Sequence, residues 1–412
     1  MSGHNFESLD REILDKHLCT SCGTCVGICP AKCIEYKNER VECVGTCISC
    51  GKCMEVCPGK AFDYNDFSKA LFQKGYNSKD WLGSYINIYA GHSNDVDIRN
   101  NSGSGGIITE VALYLLKNKH VDGVVTIHNK NGSEFEFEPT IARSEEDIKI
   151  SAQSKYTLVP TNRIISEILA NDGKYAFVGL PCQIHGIRKA MKTNKKLRDR
   201  VVFIIGIFCG FNMYAASTDY LLKKSRIKKS EIKELSYRKK IDGDTGFFVT
   251  DGVKSNYIKK HEYTYLNLFY SPSRCQLCYD YSGEFSDLSV GDAWEKGLGW
   301  SRIICRSQFA ENIIQNMRND NLISLVESSE DEVKSSQKKI LAHKKRDIWY
   351  RWGKKKDIPA INIGPKPDDI KPNIKGKIQY YIMKFGGTRF GRFLLGLIPF
   401  SWLRKVSSRL RK

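Results

Sequence analysis

Apolar and polar positions change rhythm several times along the chain. The first sixty residues carry no long apolar run and are punctuated instead by Cys, Gly and Pro. Residues 61–81 read as a polar connector with interspersed aromatics. Beyond it, residues 85–89 alternate with the period of a strand, 101–106 form a glycine-rich loop, 107–116 recur at helical spacing, and 121–127 read as a second strand. A helix is expected over 162–170, strands over 174–179, 201–208, 287–294 and 301–306, and a helix over 309–317. Strands alternating with helices predict an α/β core that ends near Glu327. Residues 328–356 are highly charged and read as a solvated helix followed by a linker.

The punctuation of the first sixty residues is one pattern written twice. Cys19, Cys22, Cys25 and Cys29-Pro30 repeat as Cys47, Cys50, Cys53 and Cys57-Pro58, both reading C-x2-C-x2-C-x3-C-P. This is the run of bacterial-type ferredoxins, in which three thiolates hold one 4Fe-4S cube and the fourth serves the other. The expected sets are therefore Cys19, Cys22, Cys25 with Cys57, and Cys47, Cys50, Cys53 with Cys29. Gly23 and Gly51 let the backbone turn close to sulfur. A zinc module needs two cysteine pairs rather than eight crowded thiols. Disulfides need an oxidising compartment, and residues 1–18 lack the apolar segment of a secretory signal. Cys33 and Cys43 fall outside both runs and read as small buried packing residues.

Four further cysteines enter through the rhythm of the core. Cys182 and Cys209 each stand just past the C-terminal end of a predicted strand, where open α/β sheets bind ligands. Cys275 and Cys278 form a later C-x2-C pair. Four thiols suffice for a third cube, for a zinc site, or for a redox pair beside two idle core cysteines. Cys305, inside a strand, reads as packing. The Ser/Gly loop at 101–106 opens a helix, so its free N–H groups and the helix dipole suit a phosphate; a flexible turn with a serine cap is the simpler alternative.

Charge changes the picture at the C-terminus. The 412-residue chain has a net charge of +19, 41% hydrophobic residues and 15 cysteines. Such totals describe a globular protein of two or three domains with an anionic partner, placed in a reducing cytoplasm. Residues 371–412 contain no Asp or Glu, and within them lies the apolar stretch 393–403, followed by Arg404, Lys405, Arg409, Arg411 and Lys412. Eleven residues are too few to span a bilayer. They suit peripheral contact with the inner face of a membrane, or a helix docked on the protein. No nucleic-acid-binding motif accompanies the charge, so a nucleic-acid partner is not expected.

Several ordered stretches resemble one family. Ser104-Gly105-Gly106 to Thr109 with 121–125, Ser154-Lys155-Tyr156, Leu180-Pro181-Cys182-Gln183, Phe208-Cys209-Gly210, Cys275-x2-Cys278-Tyr279-Asp280 and the segment from Asp287 to Trp294 are similar to the coenzyme F420 hydrogenase/dehydrogenase beta subunit family. The resemblance covers about residues 85–317. It implies a flavin-binding α/β core fused to an N-terminal α+β bacterial-type ferredoxin domain, followed by a basic helical tail. It implies Cys182, Cys209, Cys275 and Cys278 as ligands of a third 4Fe-4S cluster. Ser102, Gly103, Ser104, Gly105, Gly106, Thr109, Ser154, Lys155 and Tyr156 are its FAD candidates, with Lys155 or Arg143 neutralising flavin charge.

The expected division is 1–70 for the two-cluster ferredoxin domain, 82–165 and 166–327 for the two parts of the flavin domain, and 328–412 for the charged linker and tail. The expected function is an iron-sulfur flavoprotein oxidoreductase using coenzyme F420-type chemistry. It would join a redox partner protein, ferredoxin-like or a dehydrogenase subunit, to a small-molecule hydride acceptor or donor. The alternatives are an electron-transfer subunit serving a separate catalytic chain, a reductase in polysaccharide or lipid-linked sugar synthesis, and a protein whose clusters are structural.

Overall fold

The computed structural model describes residues 5–130, 132–354, 357–364, 374–399, 401–403 and 405–406. At its centre is one eight-stranded sheet. Its strands are β1 (Asn87–Ser93), β2 (Gly123–Asn129), β3 (Phe137–Ala142), β4 (Tyr175–Gly179), β5 (Val201–Ile207), β6 (Leu288–Asp292), β7 (Ser301–Cys305) and β8 (Ile323–Glu327). They lie in the order β8-β1-β7-β6-β5-β4-β2-β3. The middle four, β6-β5-β4-β2, are parallel, and each flank is antiparallel. β4 and β5 are buried on both faces, which explains why they read as unbroken apolar runs. Cys305 is fully buried in β7, as its strand setting predicts.

The interleaved order has a consequence for the two parts of the core. β1, from the first part, sits between β7 and β8 of the second, so neither part closes a sheet alone. Helix α1 (Ile107–Lys117) follows the Ser/Gly loop and α2 (Pro181–Thr193) follows β4 directly. The parallel strands bring the end of β4, the end of β5 and the end of β6 to one edge of the sheet. The hydrogen bond from Gly105 N–H to Ser301 Oγ, 2.9 Å, brings the Ser/Gly loop to that edge as well.

A three-stranded antiparallel sheet, Glu234–Ile241, Asp244–Thr250 and Ser255–Lys259, was not expected from the apolar pattern. Its strands mix lysines with half-buried positions, which hides their period.

The first seventy residues share an apolar core with the α/β part. Leu9, Ile13, Met54 and Phe62 belong to the same packed cluster as Ile165, Ile184, Ile187 and Phe285. The expected polar connector is corrected here: Tyr64–Phe72 is a helix, and Tyr64 and Phe67 are buried. Phe62 stacks on His185 at 3.9 Å. Cys33 is buried as expected, whereas Cys43 is exposed because it ends the edge hairpin strand Arg40–Cys43.

The charged segment after Glu327 also departs from expectation. It folds as Glu330–Ser336, Lys338–Leu341, Ala342–Arg346 and Ile348–Trp352 against the core, with Lys344, Lys345 and Arg351 buried. The acidic partners that make this possible come from elsewhere in the chain, so its own sequence gives no sign of them. Two tail helices, α3 (Ile374–Gly386) and α4 (Arg389–Leu397), pack on the core through Tyr380, Met383 and Leu395. Lys355, Lys356, Lys371, Arg404, Arg409, Arg411 and Lys412 lie outside the described residues. No helix among the described residues is long and apolar enough to cross a membrane.

Candidate functional site

The two cysteine runs fold onto each other through their shared geometry. In each, a glycine in left-handed backbone (Gly23 φ 83°, Gly51 φ 72°) turns the chain into a one-turn helix, Thr24–Gly27 or Lys52–Glu55. The turn draws the thiols inward. Cys19 has Cys57 and Cys22 as its thiol neighbours, and Cys25 has Cys22, Cys19 and Cys57. Cys53 has Cys47, Cys50 and Cys29. Cys57 thus lies near Cys19 and Cys25 of the first run, and Cys29 near Cys53 of the second, while Cys53 is also within electrostatic reach of Cys25.

The third set is assembled by the sheet. Cys182 opens α2 after β4, Cys209 follows β5, and Cys275 and Cys278 lie in the helical turn Ser273–Leu277 and just after it. Cys182 has Cys209, Cys278, Cys22 and Cys275 as neighbours. The third set therefore lies on the side of the first run that holds Cys22. The seam between them is tight: Asn162 Nδ2 donates to Thr24 Oγ1 and to Gln183 O, both 2.8 Å, and Asn162 N–H donates to Cys22 O at 2.9 Å. A Cβ on Gly186 would stand 2.1 Å from Thr24 Oγ1.

The doubled run at 19–57 has the spacing of iron-sulfur cubes. A cube, with iron at separate corners, takes thiolates spread around it. Burial pushes the Cys19 and Cys209 thiols up to about 12, and raises Cys182 and Cys25 well above the ordinary value, chiefly by desolvation. Such sites disfavour bare thiolates, and bonding to metal offsets that penalty.

Two buried cations stand at the third set. Arg274 is 7% exposed, and its Nε and one terminal nitrogen have no hydrogen-bond partner. Lys344 is 1% exposed and donates to Asp280 O at 3.0 Å. Burial disfavours its charge, but the Cys278, Cys209 and Cys275 thiols and Asp280 outweigh burial and raise its pKa. Asp280 anchors the turn beyond Cys278. Burial pushes its carboxyl up, but the His185 hydrogen bond at 3.0 Å, with Lys345 and Arg306, brings it down to about 2. Burial in turn lowers His185, so the ring is a neutral donor to a carboxylate.

The Ser/Gly loop makes a second, polar cradle at the same sheet edge. Ser102 is 6% exposed and its hydroxyl has no partner. A Cβ on Gly103 would meet Ser154 Oγ at 2.9 Å and Arg238 Cδ at 3.4 Å, so these three positions converge. Arg238 makes a two-pronged contact with Asp292, 2.8 and 3.0 Å, while its buried Nε is unpartnered. Lys240 Nζ donates to Ser104 O at 2.6 Å, and burial lowers its pKa to about 8. Lys260 stands 4.1 Å over the half-exposed Trp294 ring. Orphaned hydroxyl and guanidinium donors around a helix start suit an anionic cofactor.

The expected cofactor residues divide here. Gly103 and Ser154 meet Arg238 in the cradle, Ser104 Oγ donates to Trp300 O, Gly105 and Gly106 face Ser301 and Ser93, Thr109 lies in the first turn of α1, and Tyr156 packs 5.8 Å from the Tyr237 ring. Lys155 turns away, its Nζ donating to the Ser151 and Ala152 carbonyls, and burial lowers it to about 7. Arg143 lies at the opposite sheet edge, over Tyr175 at the start of β4.

Sequence reasoning missed Arg238, Lys240, Arg274, Tyr281, Gln337 and Lys344. Of these only Arg274 had a local signal, its place next to Cys275. Tyr281 and Gln337 join the two sites. Cys209 N–H donates to Tyr281 O at 2.9 Å, Tyr281 Oη donates to Gln337 Oε1 at 2.8 Å, and Gln337 Nε2 donates to Asp292 O at 3.1 Å.

Residues 88–166 and 172–331 match the N-terminal and C-terminal family models of the coenzyme F420 hydrogenase/dehydrogenase beta subunit. Residues 18–74 match a 4Fe-4S dicluster domain. The chain is 27% identical over 241 residues to the coenzyme F420 hydrogenase subunit beta of Methanothermobacter thermautotrophicus, covering 57% of this chain and 82% of that one. It is 26% identical over 320 residues to the coenzyme F420-dependent sulfite reductase of Methanocaldococcus jannaschii, covering 73% of this chain and 46% of the relative. A chain of the F420-reducing NiFe hydrogenase complex from Methanosarcina barkeri shares the fold, with a TM-score of 0.56 at 20% identity over 68% of this chain and 97% of that one. With both halves of the core and the cysteine domain matched in order, the chain belongs to the coenzyme F420 hydrogenase/dehydrogenase beta subunit family of iron-sulfur electron-transfer proteins.

Proposed function

We propose that this chain is an iron-sulfur flavoprotein oxidoreductase, moving electrons between a redox partner protein and a small-molecule hydride acceptor or donor of the coenzyme F420 type. Cys19, Cys22, Cys25 and Cys57 would hold one cube, Cys47, Cys50, Cys53 and Cys29 a second, and Cys182, Cys209, Cys275 and Cys278 a third. Ser102 to Gly106, Thr109 and Ser154, joined by Arg238, would hold FAD. Bound cubes exchange single electrons and a bound flavin exchanges pairs as hydride, which converts one currency into the other.

The observation that carries this reading is the position of the third thiol set. Cys182 lies within electrostatic reach of Cys22 of the ferredoxin part, and the set is joined through Tyr281 and Gln337 to Asp292 in the cradle. The chain's own residues hold that junction: Asn162 and Gln183 fix the seam, Asp280 with His185 fixes the turn after Cys278, and Arg238 balances Asp292. At the far end Cys50 is exposed beside the exposed Ile48, a surface suited to a ferredoxin-like partner or a dehydrogenase subunit. Relatives named as hydrogenase subunits favour a second reading, in which a separate chain completes the catalytic unit.

Anaerobic purification followed by iron and flavin determination tests the proposal. The expected result is about 12 iron atoms, three cubes of four, with one flavin per chain. About 8 iron atoms with no flavin would reduce the chain to a two-cluster carrier. Reoxidation of the reduced protein by coenzyme F420, but not by nicotinamides, would then fix the acceptor class.

A further inference from the structure

The tail helices present two unlike faces. Met383, Leu395 and Leu403 are buried in the cluster built on Tyr220, Phe247 and Phe269, and Tyr380 is buried as well. Tyr220 Oη donates to Ile398 O at 2.9 Å, and the Arg392 guanidinium lies 3.6 Å over the Tyr214 ring. A Cβ on Gly386 would collide with the Phe269 backbone, which shows how closely α3 is seated. The tail is therefore held in one orientation.

Its outward face is apolar and aromatic. Tyr381, Phe385, Phe390, Phe393, Leu397 and Trp402 are between 42 and 67% exposed. Phe390, Phe393 and Leu397 follow the i, i+3, i+7 spacing of one helix stripe. Exposed Lys384, Arg389 and Lys405 accompany it, and no acidic residue occurs between 371 and 412. A surface built for a protein partner mixes both signs at its rim. The tail's own charge is of one sign, although Glu39 stands near Arg389 and Arg392, and positive charge beside exposed Trp, Tyr and Phe matches the headgroup region of an anionic bilayer, where aromatic rings settle and Lys and Arg meet lipid phosphates. The face belongs to a segment beyond the matched family models, which end at residue 331.

We propose that the α3–α4 face is a membrane-docking surface that seats the protein on anionic lipid, with Phe390, Phe393 and Leu397 entering the interface and Lys384 and Arg389 meeting headgroups. It lies flat on the bilayer, since no described helix can cross one. The inference does not depend on the proposed flavin chemistry.

The test is co-sedimentation of the full-length, cluster-loaded protein with phosphatidylcholine vesicles, with and without phosphatidylglycerol. Binding is expected only with the anionic lipid and should fall as salt rises. Lys384→Gln with Arg389→Gln should weaken it about fivefold per cation removed. Phe390→Ser with Phe393→Ser and Leu397→Ser should abolish it, while the iron content and visible spectrum stay unchanged and show that the core remains folded. Equal binding of wild type and the triple variant overturns the proposal. So does absence of vesicle binding, including the case in which the triple variant instead disperses an oligomer or releases a protein partner.

Discussion

The N-terminal cysteine runs and the third cysteine set hold the same number of thiols per site but are built in opposite ways. In the runs, three ligands of each site lie within seven residues, and a glycine-led turn is enough to gather them. In the third set the thiols come from residues 182 to 278, and only the parallel pairing of β4 with β5 brings Cys182 and Cys209 to one edge. A locally built site can be fused, duplicated or moved. One built by a sheet is tied to the cradle that shares its edge, and this fixes the order of the sites.

The largest test of that difference is removal of one ligand from each kind of site. Cys182→Ser should lower iron from about 12 to about 8 atoms per chain and stop flavin reduction by a protein donor, with the N-terminal clusters still reducible by dithionite. Cys50→Ser should instead spare the third set and the flavin. If Cys182→Ser leaves both iron and flavin reduction intact, the third set is packing and the contrast disappears.

A smaller effect is expected at the seam. Gly186→Val would press on Thr24 and should cost about 1–3 kcal/mol of stability, by overpacking. Electron transfer from the N-terminal clusters to the third should slow in stopped-flow traces while iron content is retained. Unchanged traces would show that the two regions do not communicate across this seam.

The smallest shift concerns Lys344. Replacing its buried charge in Lys344→Gln should make the third site's midpoint potential more negative by about 60 mV, equivalent to about 1.4 kcal/mol for one electron. Lys344→Arg should recover most of this. An anaerobic redox titration followed by electron paramagnetic resonance reads the difference, and the N-terminal signals serve as the internal reference.

How much could be read from the chain follows the same division. The doubled run, the β4 and β5 strands and the Ser/Gly loop before α1 were legible because each is set by neighbours in sequence. The three-stranded sheet was not, since its two outer strands mix lysines with half-buried positions and lack a clear period. Lys344 and Gln337 were hidden in a segment whose composition reads as solvated, because their partners lie at Asp280, Tyr281 and Asp292. Arg143 looked as suitable as any cation until the fold placed it at the far sheet edge.

The sequence alone determined the doubled cysteine run of the ferredoxin part, the family, and the basic apolar character of the tail, since all three rest on residue type and short spacing. The tertiary structure decided which cysteines stand next to Cys22, which cations reach the third set, which of the cofactor candidates converge, and which tail side chains face outward. Those outcomes depend on strand order and on pairing between segments far apart in sequence, and no local pattern encodes such distances.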